Sequence, residues 1–348
     1  MSAEIYKKVL EDLNKGEEVA IVTKYNLKSK KIEKNAYKFD ELDEETQKYA
    51  NEAKEKNLIK NIQIDEDQNM LIEVFKRESR LIVLGAGHVG YHLCQFASKV
   101  GFNVTVADDR PYFANKGRFG ENINVICDSF ENIFKILNIN EDDFVVIVTR
   151  GHRYDKFCLQ HILPLDELRY LGMIGSRRRV KMMKQELIEE GYSKEKLANI
   201  YTPIGLEIGA VTPEEIAIAI LAELIKVKRL GGVRDEKKSS KPNNSSEINK
   251  EVIEALATIE NQKMTLVTVI STKGSTPRKA GSKMIVYDSG HIIGTIGGGC
   301  AEAKIIVDAA NMAGTDDFKV ELIDMRGEAA EEEGMVCGGI MTVLLEGI

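Results

Sequence analysis

The stretch Leu81-Ile-Val-Leu84-Gly85-Ala-Gly87-His88-Val-Gly90 decides the fold of the central part of this chain. Four apolar residues in a row, bounded by glycine, suit a strand buried on both faces of a parallel sheet. The glycines fall at the three fixed places of G-x-G-x-x-G, and an apolar-periodic segment runs on to Val100. Gly101 ends that segment, a second strand FNVTVADD follows, and Asp108 closes it 23 residues beyond Gly85. Strand, glycine turn, helix, strand and acid in this order predict a dinucleotide-binding unit of Rossmann type. In that reading Gly85 makes the tight turn, Gly87 lets backbone approach a pyrophosphate, and Gly90 lets the helix lie close on the strand. The helix N-terminus favours the negative charge, and Asp108 accepts hydrogen bonds from a ribose hydroxyl. His88 occupies a variable place in the loop, where it either faces a ligand or braces the turn.

Working outward from this unit, DDFVVIVTRGHRYD (Asp142–Asp155) reads as a buried strand ending in a polar cluster. Ligands of open α/β sheets collect at the carboxyl ends of strands, which makes Arg150, His152, Arg153 and Asp155 candidates; the alternative is a solvated loop with local ion pairs. YLGMIGSRRRV (Tyr170–Val180) reads as a strand end, a glycine turn and a basic helix start. There Ser176 and Arg177–Arg179 either grip a phosphate or form an exposed helix face. Cys127 and Cys158 fall on an expected strand and helix and read as packed rather than reactive. Thr212, Pro213 and Glu215 supply an N-cap, a first-turn proline and a capping box. They open a helix that runs to Gly231-Gly232. The segment GGVRDEKKSSKPNNSSE (Gly231–Glu247) has one aliphatic residue in seventeen and reads as a linker.

The N-terminal part repeats the C-terminal part imperfectly. Ile5–Leu13 matches Ile248–Leu256, Val19–Thr23 matches Met264–Thr268, and Leu71-Ile-Glu73 resembles Leu344-Leu-Glu346. Either two helix–strand openings look alike by chance, or the first segment is a degenerate copy of the last. The expected domains are therefore residues 1–76 (degenerate copy), 77–232 (Rossmann-like), 233–247 (linker) and 248–348 (cysteine domain).

The cysteine domain carries two glycine-wrapped thiols, in GTIGGGC (Gly294–Cys300) and GMVCGG (Gly334–Gly339), and neither motif exists in the first copy. Glycine weakens regular elements, so such clusters mark close approach of backbone to something else. Cys300 falls at the expected start of a helix, where the dipole favours a thiolate; Cys337 lies in a turn before the last strand. The amides of Gly297, Gly298 and Gly299 surround Cys300. Ahead of them, KGSTPRKAGSKM offers Ser275 and Arg278 to an anionic ligand. Zinc would need His291 and a further ligand, and a nucleophilic cysteine would need a nearby histidine with an orienting acid. A soft metal or a sulfur-bearing ligand suits two thiols among amides better.

Bulk properties bound the rest. The 348 residues suffice for two or three domains, and a net charge of −7 argues against non-specific nucleic-acid binding. The N-terminus lacks an apolar signal core, and the chain lacks an apolar run near the ~18 residues of a membrane span. Five scattered cysteines fit a reducing cytoplasm and not a disulfide framework.

GSTPR, GTIGGGC-AE and GMVCGG resemble the XdhC/CoxI family of maturation factors for molybdenum hydroxylases. LIVLGAGHVGYHL, VADDRP, TRGHRYD, YLGMIGSRRRV and PIGLEIGAVTPEEIAIAILAEL resemble the Rossmann domain of the same family. The family's usual layout places the cysteine domain first; here the intact cysteine domain comes last. The resemblance implies an α/β fold: a Rossmann-like parallel sheet, a mixed α+β XdhC/CoxI domain, and a degenerate N-terminal copy of that domain. It implies a chaperone that binds molybdenum cofactor (molybdopterin or its dinucleotide form), assists its sulfuration and hands it to an apo molybdenum hydroxylase. A cysteine desulfurase or sulfurase and a second copy of the chain, as a homodimer, are the other expected partners. Cys300 and Cys337 occupy the family's motif positions and are the expected contacts to molybdenum or the transferred sulfur. Residues Gly85, Gly87, His88, Gly90, Asp108, Arg150, His152, Ser176 and Arg177 are the expected nucleotide contacts. The competing reading is an NAD(P)-dependent oxidoreductase with a cysteine redox pair; a third is a scaffold that docks a sulfurase to its client.

Overall fold

The two ends of the chain, Met1–Arg77 and Asn243–Ile348, fold into one unit, and Glu78–Pro242 between them fold into another. The computed structural model describes residues 2–56, 59–76, 79–165, 168–231, 249–259, 262–326 and 338–348. The expected linker 233–247 and Cys337 lie outside these residues, as does the side chain of Cys300.

The N-terminal segment runs α1 (Ser2–Asn14), β1 (Val19–Asn26), β2 (Lys31–Lys38), α2 (Glu44–Lys56), β3 (Ile59–Gln63) and β4 (Gln68–Phe75). Its four strands form an antiparallel sheet in the order β2-β1-β4-β3. Both hairpins close tightly. Asn26 Oδ1 accepts the amides of Lys28 and Ser29, and Asp65 Oδ1 accepts those of Asp67 and Gln68, the side-chain turns that asparagine and aspartate favour.

The middle segment runs β5 (Ser79–Leu84), α3 (His88–Lys99), β6 (Phe102–Asp108), α4 (Lys116–Phe119), β7 (Asn124–Cys127), α5 (Phe130–Ile136), β8 (Phe144–Ile147), α6 (His152–Ile162), β9 (Tyr170–Met173), α7 (Arg177–Glu189), α8 (Lys194–Ala198) and α9 (Pro213–Leu230). The sheet is wholly parallel, ordered β7-β6-β5-β8-β9. Pleating sends Leu81 and Val83 into a core with Leu93, Ala97, Ile220 and Leu224 of α3 and α9. Ile82 and Leu84 enter the opposite core with residues of α5, α6 and α7. Burial on both faces is why β5 reads as an unbroken apolar run. The capping box expected at Thr212 and Glu215 opens α9. Cys158 is fully buried, as expected, but Cys127 is exposed. β7 is the edge strand, and none of its four residues is fully buried.

The C-terminal segment runs α10 (Lys250–Ala257), β10 (Met264–Lys273), β11 (Lys283–Tyr287), β12 (Ile292–Gly294), α11 (Gly299–Met312), β13 (Phe318–Asp324) and β14 (Ile340–Gly347). Its sheet is ordered β12-β11-β10-β14-β13. With β12 set aside, this is the strand order of the N-terminal sheet. The pairing registers agree as well: Thr23 faces Lys34 as Thr268 faces Lys283, and Ile21 faces Glu73 as Leu266 faces Glu346.

The two copies pack on each other through equivalent faces. One cluster joins Tyr25, Ile59 and Leu71 to their counterparts Ile270, Phe318 and Leu344. A larger one joins Val9, Val19 and Ile21 to Val252, Met264 and Leu266, and α1 lies against α10. The outer face of each sheet carries its own helix. Ala50 and Ala53 of α2 pack on Val22 and Ile72, and Ile305 and Ala309 of α11 pack on Val267 and Leu345. Two buried ion pairs cross the interface reciprocally, Lys34 to Glu346 at 2.7 Å and Lys283 to Glu73 at 2.5 Å. The first copy and the cysteine domain are thus halves of one pseudo-twofold unit.

Candidate functional site

In the C-terminal half, three glycine loops meet at one end of the sheet. A Cβ built on Gly297 would stand 2.6 Å from Pro277 Cβ, and one on Gly339 would stand 2.3 Å from the Ser275 carbonyl oxygen. The Gly274–Arg278 turn is therefore clasped between the turn that leads to Cys300 and the segment that follows Cys337. Only bare backbone fits at these approaches. The first copy has tight hairpins where the second has the β10–β11 and β13–β14 loops, so it retains the sheet and lacks the site.

Gly297, Gly298 and Gly299 all have positive φ, at 142°, 75° and 75°. The turn they make delivers Cys300 to the first turn of α11, as the sequence leads one to expect. The amides have a prior engagement, however. The Glu302 carboxylate accepts from the amides of Ile296 at 2.8 Å, Gly297 at 3.0 Å and Gly298 at 2.9 Å, and from Thr295 Oγ1 at 2.6 Å. Although burial alone raises its pKa, these donors hold the Glu302 carboxyl below its usual range. The chain supplies its own anion to this nest, so the Gly297 and Gly298 amides expected to hold a ligand are taken up internally. Arg278 and Lys279 are exposed, and their side chains make no ion pair or hydrogen bond among the described residues; Ser275 is exposed beside them.

In the middle unit the strand order reverses between β5 and β8, and the carboxyl ends of these strands form the crevice. Gly85 (φ 121°) lies against the β8 end, where a Cβ would meet the Val148 carbonyl at 2.3 Å, and a Cβ on Gly90 would meet the Gly85 carbonyl at 2.0 Å. Gly87 has open space around it. His88 is exposed as the first residue of α3, with its ring edge-on to Phe113. Asp108 is 2% exposed, and its carboxylate is spent inside the protein. It accepts from the Ala86 amide at 2.8 Å and from Arg110 Nε and Nη2 at 2.8 Å each. Burial raises its pKa, but the Arg110 fork and the Ala86 amide outweigh it and leave the carboxyl below its ordinary value. Arg118 donates to the Ala86 carbonyl and stacks over Tyr91, so two arginines outside the expected set hold the glycine loop.

At the β8 and β9 ends, Arg150 pairs with Asp109 at 2.9 Å and lies over the Tyr154 ring. Arg177 turns away to Glu207, with both side chains exposed. Its neighbours Arg178 and Arg179 instead join His152, Ser176 and Met182 around a cavity of about 250 Å³. Arg153 is exposed, and Asp155 is 1% exposed, ion-paired to Arg179 at 2.7 Å. Burial pushes the Asp155 carboxyl up, against Thr149 and Arg179. Among the described residues no three of His, Cys, Asp and Glu gather as a metal site, and no helix is long and apolar enough to cross a membrane.

Residues 81–224 match the XdhC Rossmann domain, and residues 257–323 match the XdhC and CoxI family. The chain belongs to the XdhC and CoxI family. A crystal structure described as a xanthine dehydrogenase from Bacillus halodurans aligns with a TM-score of 0.50 and 30% identity, over 68% of this chain and 66% of that one. A Bacillus subtilis protein described as a probable xanthine dehydrogenase subunit is 30% identical over 165 residues, 47% of this chain and 48% of the relative. An uncharacterised Escherichia coli protein, YqeB, is 35% identical over 161 residues, 46% of this chain and 29% of the relative. The chain thus spans less than half the length of either of these two curated relatives. In this family member the Rossmann domain is inserted between the two halves of the duplicated unit.

Proposed function

We propose that this chain is a maturation factor that binds molybdenum cofactor, supports its sulfuration and inserts it into a molybdenum hydroxylase of the xanthine dehydrogenase or aldehyde oxidoreductase type. The observation that carries the reading is the convergence of the Cys300 turn and the segment after Cys337 on the Gly274–Arg278 turn. Thiols bind a soft metal, and the exposed Arg278 and Lys279 suit an anionic tail, so the donor set fits a metal-bearing anionic cofactor. When bound, the cofactor supplies the molybdenum centre that the client enzyme uses. The chain's own part is to present the two thiols, keep the turn rigid through Glu302, and hold anionic groups at Arg278 and at the Gly85–Gly90 loop. A sulfurase and the apo hydroxylase are the partners this role requires.

The NAD(P) oxidoreductase reading is weaker, because the acid that would read the ribose is bound to Ala86 and Arg110. Purified full-length chain, loaded in cells that make the cofactor, is expected to carry molybdopterin measurable as its fluorescent oxidation product. Cys300→Ala is expected to lose most of it. A wild-type chain that carries none and still activates its client would overturn the proposal.

A further inference from the structure

We propose that Arg110 sets the nucleotide specificity of the glycine loop. By occupying Asp108 it withholds the acid placed to read a ribose, so the loop takes the diphosphate of a nucleotide whether its sugar is ribose or 2′-deoxyribose. The inference deepens the reading above and rests on the Gly85–Gly90 loop holding such a diphosphate.

In a dinucleotide fold the acid that ends the second strand accepts a hydrogen bond from the ribose 2′-hydroxyl. Asp108 stands at that place, as the last residue of β6. A carboxylate has about four acceptor positions, and those of Asp108 are filled from within. Oδ1 accepts the Arg110 amide at 3.1 Å and Arg110 Nε at 2.8 Å. Oδ2 accepts the Ala86 amide at 2.8 Å and Arg110 Nη2 at 2.8 Å. A sugar hydroxyl arriving here finds no acceptor unless one of these bonds breaks, and forked arginine–carboxylate bonds are among the strong ones. The next acid, Asp109, is engaged as well, by Arg150 at 2.9 Å. Arg110 is held in this posture by its own segment. Its carbonyl accepts the amides of Phe113 and Ala114 at 3.0 Å each, and the turn so formed brings the Phe113 ring centroid to 4.1 Å from the guanidinium carbon. Stacking on a ring and forking to a carboxylate together preset a guanidinium. It covers the acid: the Arg110 side chain is 27% exposed and that of Asp108 is 3% exposed. Approach of a diphosphate is left open, because Gly87 has free space around it and the first turn of α3 favours negative charge. The loop therefore keeps its phosphate recognition and gives up its sugar recognition.

The test titrates the full-length chain with ADP and with 2′-deoxy-ADP by calorimetry, without molybdenum cofactor. The wild type is expected to bind both, with affinities within about twofold of each other. Arg110→Met keeps an apolar stem over Phe113 and removes the fork, which frees Asp108. It should prefer ADP by about tenfold or more, the worth of a hydrogen bond to a charged group. Arg110→Lys, which keeps the charge and offers a point donor in place of a fork, should gain a smaller preference of the same sign, and it decides the matter if Arg110→Met does not fold. Adding Asp108→Asn to Arg110→Met should abolish most of the acquired preference. A wild type that already prefers ADP tenfold, a wild type that binds neither nucleotide, or a folded Arg110 variant with no new preference would each overturn the inference. Because no cofactor enters the measurement, a chain that shows this switch and carries no molybdopterin would overturn the maturation reading alone.

Discussion

Lys34 and Glu346 are 312 residues apart in the chain and 2.7 Å apart in the fold. The equivalent residues Lys283 and Glu73 make the same contact in the reverse sense. The environments of the two lysines differ. Burial lowers the pKa of both, but Glu346, the Tyr6 hydroxyl and Glu73 outweigh it and raise Lys34. Lys283 ends lowered, because Lys34 itself adds to burial against Glu73. The pseudo-twofold axis relates the residues without equalising their electrostatic surroundings.

Removing one partner of such a pair strands the other charge. Lys283→Met is expected to lower stability by about 3–5 kcal/mol, whereas Lys283→Met with Glu73→Met should recover most of the loss. Urea unfolding of both variants checks this; a double variant no better than the single would show that the charges stabilise on their own account.

The glycines of the fingerprint divide into two kinds. Gly90→Ala puts a Cβ 2.0 Å from the Gly85 carbonyl, while Gly87→Ala meets nothing within 4 Å. Gly90→Ala should lower the melting temperature by several degrees, as a core overpacking of about 1–3 kcal/mol would. Gly87→Ala should melt like wild type and lose nucleotide affinity. Thermal melts paired with ligand titrations separate the two effects.

Acid should loosen the glycine loop. Asp108 has a folded pKa below its unfolded value of about 3.9, so its contribution to stability is complete above that value and is lost as the pH falls towards the folded pKa. Asp108→Asn should flatten the stability profile below about pH 4 relative to wild type, which denaturation midpoints across pH 2–6 would measure.

Glu302 should govern exchange of the loop amides. In Glu302→Ala, the amides of Ile296, Gly297 and Gly298 lose their shared acceptor. Hydrogen exchange there should accelerate at least tenfold while α11 beyond its first turn stays protected. Unchanged exchange would mean that the turn is held by its glycines and not by the carboxylate.

What was legible in the sequence had a local period or a fixed spacing: the β5 run with its glycines, the Thr212–Glu215 box, and the duplicated helix–strand openings. What was not legible depended on where a side chain turns. Asp108 faces inward because Arg110, two residues on, folds back over it, and no motif spacing encodes that. Arg177 and Arg178 are adjacent in sequence but about 100° apart around α7, so Arg177 turns to Glu207 while Arg178 lies beside His152. Cys127 sits in a strand pattern that does not reveal its place at the sheet edge. The face-to-face union of the two copies spans most of the chain, beyond any local pattern.

The insertion of one unit inside the other imposes an order on folding. The Rossmann segment is contiguous, and its contacts can close while synthesis continues. The duplicated unit must wait for β14, because β10 pairs along its length with that last strand. Until then the first copy's inner face lacks Leu344, the counterpart of Leu71 in the shared cluster. Closure over a chain of this length costs entropy that grows with the logarithm of the open loop, and a pre-folded insert shortens that loop. Mutations that destabilise only the Rossmann domain should therefore slow completion of the cysteine-bearing unit, although none of the altered residues belongs to it.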